Sequence, residues 1–192
     1  MGRPKTNDAA VRERLVDSAT EMFATRPPES ITVRALAAAA GTTTGAVYSL
    51  FEGKDAVIAE VRNRAVAGLS QHLLAAPTSE DPLADIYALA VEYRRWGRDH
   101  SHLYTVLFGG VQAFEPSGET GVADPVRPLL EAIDRALSAA TLTGDATSIA
   151  VSIWVTLHGL VTLELSGALA PATAEAAFAP TINATLRGWQ PR

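Results

Sequence analysis

The sequence predicts an all-α protein. Apolar residues recur at three- and four-residue steps along most of the chain. No stretch shows the period-two alternation of β-branched and aromatic residues, closed by hairpin turns, that marks strands. Proline, glycine and small polar residues fall in clusters that cut the periodic stretches into helix-sized pieces. At 192 residues, 47% hydrophobic and 19% charged, the chain can bury a core in one or two domains.

The elements follow in order. Over 8–25, Val11, Leu15, Ala19, Met22 and Phe23 form one buried stripe, with Arg12, Glu13, Asp17 and Glu21 on the other face. Arg26-Pro27-Pro28 ends this helix, because a residue before proline is pushed out of the α region. Thr32 is a candidate N-cap for a short helix over 33–40, closed at Gly41, which can supply a positive φ. The next helix starts in Thr42-Thr43-Thr44 and runs to Phe51, where Glu52-Gly53 breaks it. A longer helix runs from Lys54 to about Ala75, before the loop residues Pro77-Thr78-Ser79. Helices are then expected over 82–98, 101–107, 123–140, 145–169 and 172–189, with the longest loop at 109–121 and a bend or interruption at Pro180. The stretch 146–169 is apolar almost all round and long enough for a membrane span, but it carries Ser148, Ser152, Thr156, His158, Thr162 and Glu164. It reads as a helix buried on both sides by protein.

The net charge of −5 is unevenly spread. Residues 1–55 hold seven Lys/Arg and seven Asp/Glu, leaving nine against fourteen for the rest. Arg3 and Lys5 make the first five residues basic with no acid among them. A DNA footprint needs only a few well-placed cations, so neutrality of this segment does not exclude it. There is no cysteine, which excludes disulfides and thiolate metal sites. The polar run Thr6-Asn7-Asp8 stands where a secretory signal needs apolar residues, so the expected location is cytoplasmic, with no membrane partner.

The two short helices between Thr32 and Phe51, joined at Gly41, have the form of a helix-turn-helix. In the first, alanines permit close packing. In the second, Thr43, Thr44 and Ser49 offer short hydrogen-bonding groups, Gly45 and Ala46 let the backbone approach closely, and Val47, Leu50 and Phe51 can pack inward. Tyr48 reads either as a half-buried packing residue or as a phosphate ligand. Lys54 is either a solvated first-turn residue or, placed against its own helix dipole, a cation awaiting a phosphate.

The stretch from Ile31-Thr32-Val33-Arg34-Ala35-Leu36 through Gly41-Thr42-Thr43-Thr44-Gly45-Ala46-Val47-Tyr48-Ser49-Leu50-Phe51 to Lys54 resembles the DNA-binding region of the tetracycline-repressor family. The family pattern is a Thr-capped Ala-rich helix, Gly, a small polar cluster, Gly, an aliphatic residue, Tyr, Phe three residues later and Lys three beyond that. Thr42 departs from the usual Val, Leu50 from an aromatic or His, and Arg26-Pro27-Pro28 from a Gly-containing turn. The resemblance implies that the second helix enters the major groove. DNA contacts are then expected from Arg3 and Lys5 in the N-terminal arm and from Thr32, Thr43, Thr44, Gly45, Tyr48, Ser49 and Lys54. It also implies a DNA-binding domain over 1–55, a helical ligand-binding and dimerisation domain over 56–192, a homodimer, and a roughly palindromic double-stranded operator.

Further on, Trp154, His158 and Gly159 resemble the signature of a Trp-His-Gly subgroup of that family. Trp154 and His158 lie on one helical face and, with Trp96, Tyr104 and Phe108, are the candidate lining of a pocket for a small apolar or aromatic effector. Each of these residues also reads as plain core. In the last two helices, Leu157, Leu160, Val161, Leu165, Ile182 and Leu186 are candidate dimer contacts or intramolecular core. A metal site from His100, His102 and His158 lacks supporting ligand spacing, and no cofactor is implied. The chain lacks a nucleophile elbow, a phosphate-binding glycine loop and an HExxH signature, so no catalytic residue is assigned. The function expected is that of a transcriptional repressor, with an enzyme or a protein-binding helical module as the rival classes.

Overall fold

The structure is a computed structural model of the chain and describes residues 5–27, 30–109 and 124–192. Among the described residues there are nine helices and no strand: α1 (Lys5–Phe23), α2 (Val33–Ala39), α3 (Thr44–Phe51), α4 (Lys54–Leu74), α5 (Pro82–Asp99), α6 (Ser101–Phe108), α7 (Arg127–Ser138), α8 (Ala146–Leu165) and α9 (Pro171–Arg187). The all-α expectation holds. The loop expected over 109–121 lies outside the described residues from 110 onward, and so does Arg3.

The largest differences from the expected boundaries are at the start of α7 and the end of α8. The described chain first turns at Asp124, whose Oδ1 accepts the Val126 N–H at 2.9 Å, so α7 starts only at Arg127, with Pro128 in its first turn. α8 stops at Leu165 because Gly167 takes φ +73°, and the Leu169 N–H returns to the Leu163 carbonyl at 3.0 Å. Pro180 does not interrupt α9. The carbonyl that proline leaves without a donor belongs to exposed Ala176, where water can satisfy it.

The described residues form two compact units, and α4 runs from one into the other at Val66–Ala67. The first unit holds α1, α2, α3, the opening turns of α4, and α6. Its core is built from Leu15, Val16 and Ala19 of α1, Leu36 of α2, Val47 and Phe51 of α3, and Val57 and Val61 of α4. α6 returns to this unit: it packs against α1 and adds Val106 to the same core, although its sequence neighbours α5 and α7 lie in the second unit.

The second unit is organised around α5, which packs against α7, α8 and α9, while α8 also packs against α7 and α9. Ile86, Ile133, Ile149, Ile153, Val161 and Ile182 lie within this unit at no more than 1% exposure. Two ionic pairs are set into it. Asp85 at the start of α5 accepts from Arg135 of α7 and from both the N–H and the Oγ of Ser79, each at 2.8 Å. Burial opposes its ionisation, but the Arg135 and Ser79 hydrogen bonds outweigh that and hold its pKa below the ordinary value.

Arg94 of α5 grips Glu164 of α8 in a bidentate pair, at 2.8 Å and 3.0 Å. Its third nitrogen is 3.1 Å from Glu175 of α9, and its guanidinium sits 4.8 Å from the centre of the Phe178 ring. The Arg94 hydrogen bond lowers the Glu164 pKa, so the carboxylate is ionised throughout the neutral range. The Arg94 and Glu164 side chains are only 9% and 11% exposed, and the other cation beside Glu164, Arg98, is 3.7 Å away and 54% exposed, so removing Arg94 leaves a buried carboxylate with one distant, solvated partner. Arg94→Met is therefore expected to lower unfolding stability by about 3–5 kcal/mol, and Arg94→Met with Glu164→Met to recover most of it, measured by urea denaturation. A double variant as unstable as the single one would contradict this.

Candidate nucleic-acid interface

Each short helix of the first unit is set by a threonine. Thr32 precedes α2 with extended backbone, and its Oγ1 accepts the Ala35 N–H at 3.2 Å. Thr43 does the same for α3, accepting the Ala46 N–H at 3.2 Å. Between them, Gly41 adopts φ +62°, while its own N–H bonds to the Ala38 carbonyl at 3.2 Å and the Thr42 N–H to the Ala37 carbonyl at 2.8 Å. This paired closure satisfies the last carbonyls of α2 and turns the chain directly into α3.

α3 is divided cleanly into two faces. Val47 and Phe51, four residues apart, are buried at 0% and 4% exposure, with Ala46 and Leu50 packed partly against the core. Thr44, Gly45, Tyr48 and Ser49 point outward, and Tyr48 is 58% exposed. Tyr48 is thus a surface residue. A Cβ built on Gly45 would come within 4 Å only of Thr43 Oγ1, at 3.7 Å, so the backbone here is open to close approach from outside. Lys54 opens α4 just beyond, half-buried, and Lys5 opens α1. The outward face therefore carries hydroxyls, a phenol, a bare backbone segment and a nearby cation. Such groups can donate and accept hydrogen bonds at base edges and phosphates.

The first unit also contains ties that sequence spacing does not reveal. Arg12 of α1 donates to the Leu50 carbonyl in the last turn of α3 at 3.0 Å and to Glu60 of α4 at 2.9 Å, with its guanidinium 4.1 Å from the centre of the Phe51 ring. Arg64 of α4 pairs with Glu13 and, at 2.9 Å, with Asp17, both on α1. Arg14 donates to the Ala40 carbonyl at 3.3 Å. The partners in the first two ties lie 38 to 51 residues apart in sequence, and no local pattern signals them.

The candidate effector residues are divided between the units. Tyr104 and Phe108 belong to α6 of the first unit, with ring centres 4.7 Å apart. Trp96, Trp154 and His158 belong to the second. There, the Trp154 and His158 rings stack at 5.3 Å, and Tyr93 Oη lies 3.5 Å from His158 Nδ1. Burial lowers the His158 pKa, so the imidazole is neutral near pH 7. Trp96 is buried. A separate cavity of about 270 Å³ in the second unit lies among Leu73, Leu89, Pro128, Ala132 and the Asp85–Arg135 pair; none of the candidate effector residues lines it.

The candidate dimer residues fall into two groups. Leu157, Val161, Ile182 and Leu186 are buried within the protomer, while Leu160 and Leu165 are half-buried. The exposed apolar residues of α8 are Val151, Val155 and Leu163. By length and composition α8 could cross a membrane, but its inner stripe, including Ile149, Ile153, Leu157 and Val161, packs into the unit. No group of three metal-ligating side chains is found among the described residues.

A threonine-capped helix-turn-helix with a polar outer face, in a chain otherwise built of helices, defines a DNA-binding regulator of the helix-turn-helix class. The chain belongs to the tetracycline-repressor family. The model for bacterial regulatory proteins of the tetR family matches residues 15–61, and that for the tetracyclin repressor-like C-terminal domain matches 86–185.

Solved structures share the fold over nearly the whole chain. A protein of unknown function from Rhodococcus sp. RHA1 is 21% identical, with a TM-score of 0.77, covering 94% of this chain and 96% of that one. PfmR, a TetR family transcriptional regulator from Thermus thermophilus, is 18% identical with a TM-score of 0.70, covering 91% and 97%. SmeT, the repressor of the Stenotrophomonas maltophilia multidrug efflux pump SmeDEF, is 21% identical with a TM-score of 0.70, covering 93% and 89%; its structure has also been solved as a triclosan complex. No curated protein matches the sequence.

Proposed function

We propose that this chain is a cytoplasmic homodimeric repressor that binds a roughly palindromic operator and is released from it by a small apolar or aromatic ligand. The observation that carries this reading is the division of α3, with Val47 and Phe51 fixed in the core and Thr44, Gly45, Tyr48 and Ser49 turned outward. In this reading Thr43, Thr44, Gly45 and Ser49 meet base edges. Thr32, Tyr48 and Lys54 meet phosphates, and Lys5 at the start of α1, with Arg3 two residues before it, reaches the backbone or the minor groove. Segment 1–55 is the reading head, with the opening turns of α4 and α6 packed into its core, and the remainder of 56–192 senses and dimerises. The chain performs no catalysis, in keeping with a family of regulators.

One reading helix contacts few base pairs, so two copies are required, and a symmetric pair imposes symmetric half-sites. The dimer face is assigned to the outer stripe of α8, where Val151, Val155 and Leu163 are 47%, 55% and 47% exposed, with half-buried Leu160 and Leu165 beside it. Leu157, Val161, Ile182 and Leu186 support that face from within the protomer.

The effector site is assigned to the stacked Trp154–His158 pair with Tyr93 and Trp96, where a neutral imidazole offers one polar contact amid aromatic surface. This is the Trp-His-Gly resemblance restated as a site. SmeT in complex with triclosan is a relative holding a small aromatic molecule. Release requires only that the ligand favour the DNA-incompetent state by about 1–3 kcal/mol, and α4, continuous from Lys54 to Leu74, is one unbroken helical path from the first unit into the second.

Two experiments test this. Selection from a random-sequence duplex library should return an inverted repeat, and Val155→Glu should yield a folded monomer that binds the selected duplex at least tenfold more weakly; a Val155→Glu monomer with wild-type affinity contradicts the dimer. A small-molecule library screened for release of the selected duplex should return apolar aromatic compounds. Trp154→Ala should lose that response while keeping ligand-free DNA affinity, and a folded Trp154→Ala chain responding like wild type would move the effector site elsewhere.

A further inference from the structure

α3 has eight residues and touches the core through one short face, Val47 and Phe51 buried with Ala46 and Leu50 packed partly beside them. A face this short fixes which side of a helix turns inward and how closely it lies against its neighbours, but gives little leverage against tilting of its ends. A helix this short has no independent stability to resist such motion. Its pitch must be steadied at its ends, and the first unit supplies such a contact at the C-terminal end.

Arg12 is built for that task. One guanidinium nitrogen holds the Leu50 carbonyl at 3.0 Å, one of the carbonyls that the end of α3 leaves without a helical donor, and the neighbouring nitrogen holds Glu60 at 2.9 Å. Its central carbon sits over the Phe51 ring, 4.1 Å from the ring centre. A single planar group thus joins α1, α3 and α4, with a cation at the helix end where the dipole favours it. We propose that Arg12 is a positioning residue for α3, fixing its pitch against α1 and α4 through Leu50 and Glu60, so that sequence discrimination depends on a side chain that makes no DNA contact. The proposal rests on the reading of α3 as the base-contacting helix. A lysine cannot replace the fork, because one ammonium cannot reproduce two parallel donors aimed at Leu50 and Glu60 while sitting over the ring.

The test compares wild type, Arg12→Gln, Arg12→Lys, Glu60→Gln and the Arg12→Gln/Glu60→Gln pair. Affinity is measured across a salt series for the duplex that wild type selects from a random library and for a scrambled duplex, with Tm recorded for each protein. Arg12→Gln and Arg12→Lys should each weaken the selected duplex by about tenfold, comparable to spoiling one base-pair contact, while leaving the scrambled duplex nearly unchanged. The slope of log affinity against log salt should stay at the wild-type value. Glu60→Gln should fall between, and the double variant should be no worse than Arg12→Gln, because both act through one fork.

Arg12→Lys keeps the charge and the stem over Phe51, so it carries the test if Arg12→Gln does not fold. Wild-type discrimination by Arg12→Lys overturns the proposal, and so does a slope reduced by about 0.9 per subunit, which would make Arg12 a phosphate ligand. A wild-type chain that selects no sequence removes the reading of α3 itself.

Discussion

A helix of eight residues does not persist in water, and the first unit is arranged around holding one in a fixed place. The N-terminus of α3 is closed by Thr43, and the approach to it is fixed by the turn at Gly41. Its inner face is pinned by Val47 and Phe51, and its far end is held by Arg12. Burying two such side chains contributes about 1.5–3 kcal/mol each, together more than the cap or the Leu50 hydrogen bond alone. Burial therefore keeps α3 in place, and the polar contacts decide its orientation. Because all the holding is done from inside and from the ends, the outer face is left to Thr44, Gly45, Tyr48 and Ser49.

The second unit solves a different problem. α8 is apolar nearly all round, so the hydrophobic effect alone does not say which of its faces should turn inward. The ionic pairs impose that choice. Glu164 can be buried only where Arg94 meets it, which fixes the rotation of α8 against α5 and draws Glu175 of α9 toward the same guanidinium. Asp85 with Arg135 and Ser79 does the same for α7 against α5. Charged groups in a core add little net stability, but they penalise every alternative register in which they would be unpaired.

Much of this was legible in the sequence, and the exceptions have physical reasons. The all-helical class, the Thr32 cap, the Gly41 turn and the inward positions Val47 and Phe51 follow from local rules that act within one or two helical turns. The return of α6 to the first unit was not legible. Val106 is an ordinary apolar residue whose partners on α1 lie about ninety residues away. The Arg12–Glu60 and Arg64–Asp17 pairs are long-range for the same reason: charge patterning reports neighbours on one helix, not partners on two. The exposed stripe of α8 escaped because periodicity needs polar residues to set its phase. With valine and leucine on every side, nothing distinguished buried Leu157 and Val161 from exposed Val155 and Leu163. Pro180 leaves α9 unbroken because a proline is tolerated where the carbonyl it orphans meets water.

The central claim is that the outer face of α3 lies against bases. The chain has no cysteine, so one introduced thiol is unique and can report its own position. Ser49→Cys on the outer face of α3, and Ala38→Cys on the exposed side of α2 as a control, would each be offered the selected duplex carrying a thiol tethered to one base at a time along the site. Disulfide capture from position 49 at a few adjacent bases in each half-site, with little capture from position 38, is the predicted result. Capture from position 38 in preference to position 49, or from both equally at every tethered base, would contradict the account.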